Sequence, residues 1–184
     1  MAKFKIKWNS DKVLSLSAMG ISFITLVIFV YQTNLMSKQN YLSILPYLQV
    51  AYSDDPSDNS YSLSLKNHGV GPAIIESVTM IYKGNRYDLQ DFNDDLFTFL
   101  SSLEPELDSI VSTNTSTLDK GIALPANSTY LVFSVSDSKE DYQLFTQKLQ
   151  ALEEGGLRYE IIYRSIQNER WIIHNDSEGP VKLD

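Results

Sequence analysis

Cysteine is missing altogether from the 184 residues, which excludes disulfides, thiolate nucleophiles and Cys-ligated zinc or iron–sulfur centres. The fold must therefore be held by its core. Histidine is nearly as scarce. His68 and His174 stand 106 positions apart, without the H-x-H or H-x-x-x-H spacing of a metal site, and they read as structural or surface residues. Positive charge is short as well: fifteen Lys and Arg face twenty-three Asp and Glu, for a net charge of −8. Phosphate backbones are bound by concentrated Lys and Arg, so no nucleic-acid partner is expected. No G-x-S-x-G elbow occurs, no serine stands in a recognisable triad context, and no pair of carboxylates is set apart from the many others. No catalytic residue, cofactor or metal is expected, and nothing marks the chain as an enzyme.

The charge that is present is unevenly placed. Four basic residues, Lys3, Lys5, Lys7 and Lys12, and one acid, Asp11, fall within residues 1–12, leaving eleven basic and twenty-two acidic residues beyond. Between these zones lies Val13–Val30, eighteen residues without a charge or a proline, eleven of them Leu, Ile, Val or Phe. As a helix the run covers about 27 Å, and continued to Met36 it exceeds the roughly 30 Å of a hydrocarbon core. Its aliphatic and aromatic side chains contribute roughly −3 to −7 kcal/mol to insertion. A transmembrane helix over 13–36 is therefore expected, with Trp8 and Tyr31 as interface anchors. The basic flank on the N-terminal side keeps that end in the cytoplasm and sends the acidic remainder across. A cleaved signal peptide would want a small-x-small site after the apolar core, and "YQTNLMSKQ" lacks one. A buried soluble helix would be apolar on one face only.

Within the span, Ser15, Ala18, Ser22 and Thr25 recur at offsets of three, four and three and share one face. Small residues in a stripe let a second helix approach closely, either its own copy, as a homo-oligomer, or another membrane protein. Scattered small residues of no consequence would look the same.

After a basic cytoplasmic segment (1–12), the transmembrane helix (13–36) and a juxtamembrane connector (37–42), short alternating apolar runs broken by turn residues predict a strand-rich domain over 43–176 and a flexible tail over 177–184. Strands are expected at Ser43–Tyr52, Tyr61–Asn67, Ala73–Tyr82, Arg86–Leu89, Ser109–Leu118, Thr129–Ser136, Leu157–Ser165 and Arg170–His174. In "YSLSLKN" the alternation is strict, and Lys83–Asn85 is a tight hairpin connection. Two helical periods interrupt the strands. One runs through Leu89, Phe92, Leu96, Phe99, Leu100 and Leu103 and stops at Pro105. The other opens with Ser138 and Asp141 in capping-box spacing, buries Tyr142, Phe145, Leu149 and Leu152, and ends at Gly155–Gly156. The expected fold class is mainly β: an N-terminal transmembrane helix, then an antiparallel immunoglobulin-like β-sandwich with two inserted or flanking helices.

The stretch "KNHGVGPAIIESVTMIYKG", Lys66–Gly84, has the glycines of a phosphate loop but leads into a strand-forming run, whereas such loops open a helix. A structural turn fits better, with Gly69 and Gly71 free to take positive φ, Pro72 fixing the next strand's start and Asn67 bonding the turn's backbone. Asp54, Asp55 and Asp58 make an oxygen-rich loop without the D-x-D-x-D-G register of a calcium site. Asn114, Asn127 and Asn175 stand in glycosylation-type triplets, a pattern short enough to arise by chance.

Four segments occur in order: "VYQTNLMSKQNYLSILPYL", "LKNHGVGPAIIESV", "LPANSTYLVF" and "YRSIQNERW". Together they resemble a group of uncharacterised bacterial single-pass membrane proteins in which an anchor helix carries a small extracytoplasmic immunoglobulin-like domain with an N-x-G-x-G-P-A turn. The resemblance covers roughly residues 20–174 and keeps that turn as Asn67, Gly69, Gly71, Pro72 and Ala73. It implies a location in the bacterial inner (cytoplasmic) membrane, with the C-terminal domain on the periplasmic side, and implies no activity. The expected function is a membrane-anchored interaction or sensing module, an accessory subunit of a membrane or cell-envelope complex, in contact with the lipid bilayer and another envelope protein. The alternative is an envelope enzyme or small-ligand sensor whose site gathers distant residues such as His68, His174 and nearby acids. A third reading is an architectural tether.

Overall fold

The uncharged run Val13–Val30 has one way to satisfy its backbone polar groups internally, which is helix. In the computed structural model, which describes residues 9–183, helix α1 spans Ser10–Leu42 without a break. At 1.5 Å per residue it is about 50 Å long. Its most apolar stretch has a mean hydropathy of 2.4, and none of its residues is buried. It is long and apolar enough to cross a membrane. The hydroxyls of Ser15, Ser17 and Thr25 donate to the carbonyls of Asp11, Val13 and Ile21, each at 2.8 Å, so polar side chains are absorbed by the helix itself. The helix does not give way to a connector at residue 37. No glycine or proline occurs between Tyr31 and Leu42, and the first proline after it is Pro46. Lys3, Lys5, Lys7 and Trp8 lie outside the described residues.

The chain divides into two units that meet between Leu42 and Ser43. In the second, the described residues form ten strands: β1 (Leu48–Asp55), β2 (Ser60–Asn67), β3 (Ala73–Tyr82), β4 (Asn85–Asp88), β5 (Thr113–Thr115), β6 (Ala123–Leu124), β7 (Ser128–Val135), β8 (Arg158–Arg164), β9 (Arg170–His174) and β10 (Val181–Leu183). Helices α2 (Leu96–Leu103) and α3 (Lys139–Glu154) join them. All pairings are antiparallel. One sheet has four strands in the order β1-β2-β7-β5; the other has six, ordered β10-β9-β8-β3-β4, with β6 alongside β3. Buried side chains from both sheets and both helices form one hydrophobic core. Tyr61, Phe97, Phe133 and Phe145 meet in it with ring centroids 5.1–6.1 Å apart, which fastens α2 and α3 to the four-stranded sheet.

Each sheet carries a β-bulge at its centre. Between the pairs Leu63–Phe133 and Ser64–Leu131, residue Val132 is extra, so Val132 and Phe133 both turn inward. In β3 the extra residue is Glu76, between Ile75 and Ser77. Its carboxylate pairs with Arg170 at 2.6 Å and Arg164 at 3.6 Å. The β3–β4 hairpin turns through Lys83 and Gly84, at φ 50° and 81°, the doubly left-handed geometry that suits a two-residue connection.

Several elements depart from expectation. The first strand starts at Leu48, because Ile44–Tyr47 is taken up by packing against the 69–71 turn. The helical period from Leu89 is split into a 3₁₀ turn (Leu89–Phe92) and α2, since Asn93 and Asp94 both sit at φ 56°. Asp95 restarts the helix as its N-cap, accepting from the backbone N–H of Phe97 at 2.8 Å and of Thr98. Ser109–Leu118 yields only the three residues of β5. The tail is not without structure: Val181–Leu183 pairs with Arg170–Ile172 and extends the six-stranded sheet. Ser138 caps α3 through the N–H of Asp141, but the Asp141 carboxylate reaches instead to the N–H groups of Val111 and Ser112.

Candidate functional site

Asn67 ends β2 as a buried polar residue, 1% exposed. A buried amide must find partners on both of its ends, and this one does. Its Oδ1 accepts from the N–H of Tyr47 (3.1 Å) and Gly69 (3.0 Å), while Nδ2 donates to the carbonyls of Gly71 (2.9 Å), Leu124 (3.1 Å) and Pro125 (3.0 Å). The glycines serve a different need from the one expected. Neither Gly69 nor Gly71 has positive φ. A Cβ at Gly69 would collide with the backbone of Leu45–Tyr47, and one at Gly71 with that of Ile44. They are glycines because another chain segment crosses them. Pro72 leads into β3, where its missing N–H costs nothing. The N–H groups of His68, Gly69, Val70 and Gly71 are all bonded already, to Tyr47, Asn67 and Leu45, which leaves none of them for an anion.

The two histidines are not brought into one site. His68 is exposed and donates its backbone N–H to Tyr47. His174 is half-buried at the end of β9, opposite Glu160, in a cleft that His68 does not line. Asp55 accepts from the N–H of Ser57 and Asp58 and the Ser57 hydroxyl, which holds its carboxyl below the usual range and makes it the cap of the β1–β2 turn. Asp54 accepts the hydroxyl of Tyr142 at 2.6 Å. Among the described residues, no three His, Asp or Glu are grouped to hold a metal ion. Ser15, Ala18, Ser22 and Thr25 are exposed on α1.

What the sequence did not announce is a hollow between the sheets. Leu48, Val50 and Tyr52 alternate along β1 towards the interior, but β1 is the edge of its sheet, and the space beside it is incompletely filled. The resulting cavity, about 250 Å³, is walled by Val78, Met80, Leu100, Leu118, Val132 and Ile161. Its mouth is formed by Tyr52, Glu153, Arg158 and Asn175. A second, more open hollow of about 320 Å³ adjoins it, sharing Tyr52, Tyr61, Leu149 and Glu153 and adding Asp54, Thr146 and Gln150.

Tyr61 belongs to both hollows. It is 8% exposed, and its hydroxyl makes no hydrogen bond among the described residues. Burial raises its pKa well above the ordinary phenol value, and the charges of Glu153 and Asp54 raise it further, so the group is a neutral donor at any physiological pH. Burial likewise raises Tyr159, half-buried on the opposite wall. At the mouth, Arg158 is engaged by Asp176 at 2.9 Å. The one signal in the sequence was the inward phase of β1, which puts an aromatic residue, Tyr52, at a position that is 74% exposed. No protein-family model and no curated protein matches this chain.

Proposed function

We propose that the protein is a single-pass component of a bacterial inner membrane whose acidic outer domain recognises another molecule of the cell envelope. The N-terminus would face the cytoplasm and the strand-rich unit the periplasm, as in the bacterial single-pass proteins that its N-x-G-x-G-P-A turn resembles. The observation that carries this reading is the pairing of a helix long and apolar enough to cross a bilayer with a separate unit that has its own closed hydrophobic core. The strand orders β1-β2-β7-β5 and β9-β8-β3-β4 support an immunoglobulin-like sandwich, in which the first, second, fifth and fourth strands make one sheet. Such folds commonly serve recognition, which is an argument from analogy of fold. The outer domain acts by binding rather than by chemistry, as an accessory or receptor subunit. The small-residue face of α1 would seat a neighbouring helix.

Two measurements test this. A reporter fused after Asp184 should be shielded from protease in intact cells and cleaved once the outer barrier is permeabilised; a reporter that stays in the cytosol refutes the topology. Mild cross-linking followed by detergent extraction should recover the same envelope partner repeatedly. Recovery of the protein alone refutes the accessory role.

A second reading, a small-ligand sensor, is favoured by one specific observation: the apolar hollow that opens beside Tyr52 and Glu153.

A further inference from the structure

The two adjoining hollows differ in chemistry, and the difference selects a ligand. The inner one is lined by aliphatic side chains and Met80. A dry apolar cavity of ~150 Å³ is enough to take up benzene; this one, at about 250 Å³, is larger. Its entrance holds Tyr61, whose ring packs on Phe133 and Phe145 while its hydroxyl, without a protein partner among the described residues, is open to solvent. The entrance is also electronegative. Glu153 and Asp54 both act on Tyr61, and Arg158, the one cation among the described residues that line the two hollows, is held by Asp176. An anionic head group would be repelled here. A cation would be attracted by the two carboxylates and by the faces of Tyr52 and Tyr61, since aromatic rings bind ammonium groups within about 6 Å.

We propose that this double hollow binds an alkylammonium compound, with its hydrocarbon chain between the sheets and its cation at Tyr52, Tyr61, Asp54 and Glu153. The inference rests on the reading of the outer domain as a binding or sensing module and names the class of molecule it senses. The same chemistry is carried by a free amine in the aqueous compartment and by an amine-headed lipid.

Met80 provides the test. The chain has four methionines, Met1, Met19, Met36 and Met80, and Met80 alone belongs to the outer unit, where it lines the cavity. The full chain, labelled with ¹³C at its methionine methyls and reconstituted in nanodiscs of phosphatidylglycerol, is titrated with hexyltrimethylammonium, hexanol and hexanoate. The Met80 methyl should shift saturably with the ammonium compound, more weakly with hexanol and not with hexanoate. Glu153→Gln and Tyr52→Ala, both surface changes, should each weaken the ammonium about fivefold, the size of one exposed charge or cation–π contact, and leave hexanol unchanged. A Met80 shift present before titration in discs containing phosphatidylethanolamine would assign the ligand to the lipid. Equal binding of hexanoate, or a Met80 signal that no arm moves, overturns the proposal. Neither result bears on topology or partner recovery, so the wider functional reading fails or stands separately.

Discussion

Replacing Asn67 by alanine removes the acceptor for two backbone N–H groups, those of Tyr47 and Gly69, and the donor for the carbonyls of Gly71, Leu124 and Pro125. The site is 1% exposed, so bulk water does not simply replace the amide. Each buried donor left unpaired costs about 1–3 kcal/mol. Two such donors, with some relief for the carbonyls, give an expected loss of about 3–5 kcal/mol, a large part of an ordinary domain's stability. The assay is urea unfolding of the full chain in nanodiscs, in a Trp8→Phe background so that Trp171, buried in β9, is the only fluorophore of its kind. The midpoint should fall without a change in slope, and thermal unfolding should drop by roughly 3 °C per kcal/mol. Asn67→Asp sharpens the test. A carboxylate keeps the two acceptor bonds but turns a negative charge on three carbonyls in a buried place, which raises its folded pKa above its unfolded value of about 3.9. Its folded state therefore holds the proton more tightly. Relative to the parent, the variant should be least destabilised below about pH 4 and lose about 1.4 kcal/mol per unit as pH rises towards the folded pKa. An alanine variant within about 1 kcal/mol of the parent, or an aspartate variant whose deficit is flat from pH 4 to 7, would refute the clamp.

Gly71→Ala should cost about 3 kcal/mol because its methyl overlaps the backbone of Ile44; Gly84→Ala, at φ 81° with open space around it, should cost only about 1 kcal/mol, and a reversed order in parallel melts would contradict the crossing geometry. Asp95→Ala should lose about 1 kcal/mol by uncapping α2, measurable in the same urea series. In alkali, Tyr142 is pushed up to about 12 by its hydrogen bond to Asp54 and Tyr163 to about 12 by burial. Both phenols hold protons more tightly when folded, so stability should be intact below about pH 10 and fall as pH passes through 12. Phenolate absorbance and circular dichroism should change together there, and ionisation of Tyr142 and Tyr163 without unfolding would contradict the Asp54 hydrogen bond of the one and the burial of the other.

Where chemistry is local, the sequence was a good guide. The strict alternation of Tyr61–Asn67 and the β-branched run Ala73–Tyr82 became β2 and β3 almost to the residue, and the Ser138 cap and Gly155–Gly156 bound α3. The misses arise where a distant segment decides. β6 and β10, of two and three residues, have no propensity of their own and exist because β3 and β9 offer them a ladder. The period from Leu89 to Leu103 looked continuous because no pattern of apolar residues reveals that Asn93 and Asp94 will adopt left-handed φ. At Gly69 and Gly71 the residue type was informative but its cause was ambiguous: glycine permits both positive φ and close approach, and only the position of Ile44–Tyr47 decides between them. Asn67 was recognisable as a turn residue, whereas its bonds to Leu124 and Pro125 span 57 and 58 positions. The hollow beside β1 was the least accessible of all, since a void is a property of the seven strands and helices that line it together.

The extra residues Val132 and Glu76 have a consequence for how the chain can err. A regular strand may slide by two positions along its neighbour and still show the same faces. With a kink in the middle, sliding β7 along β2 would drag Val132 out of its niche and separate two neighbouring apolar side chains to opposite faces. The same displacement of β3 against β8 would tear Glu76 from both arginines. Each sheet thus carries a tooth that admits one alignment only, a safeguard against slipped pairing as the strands find one another.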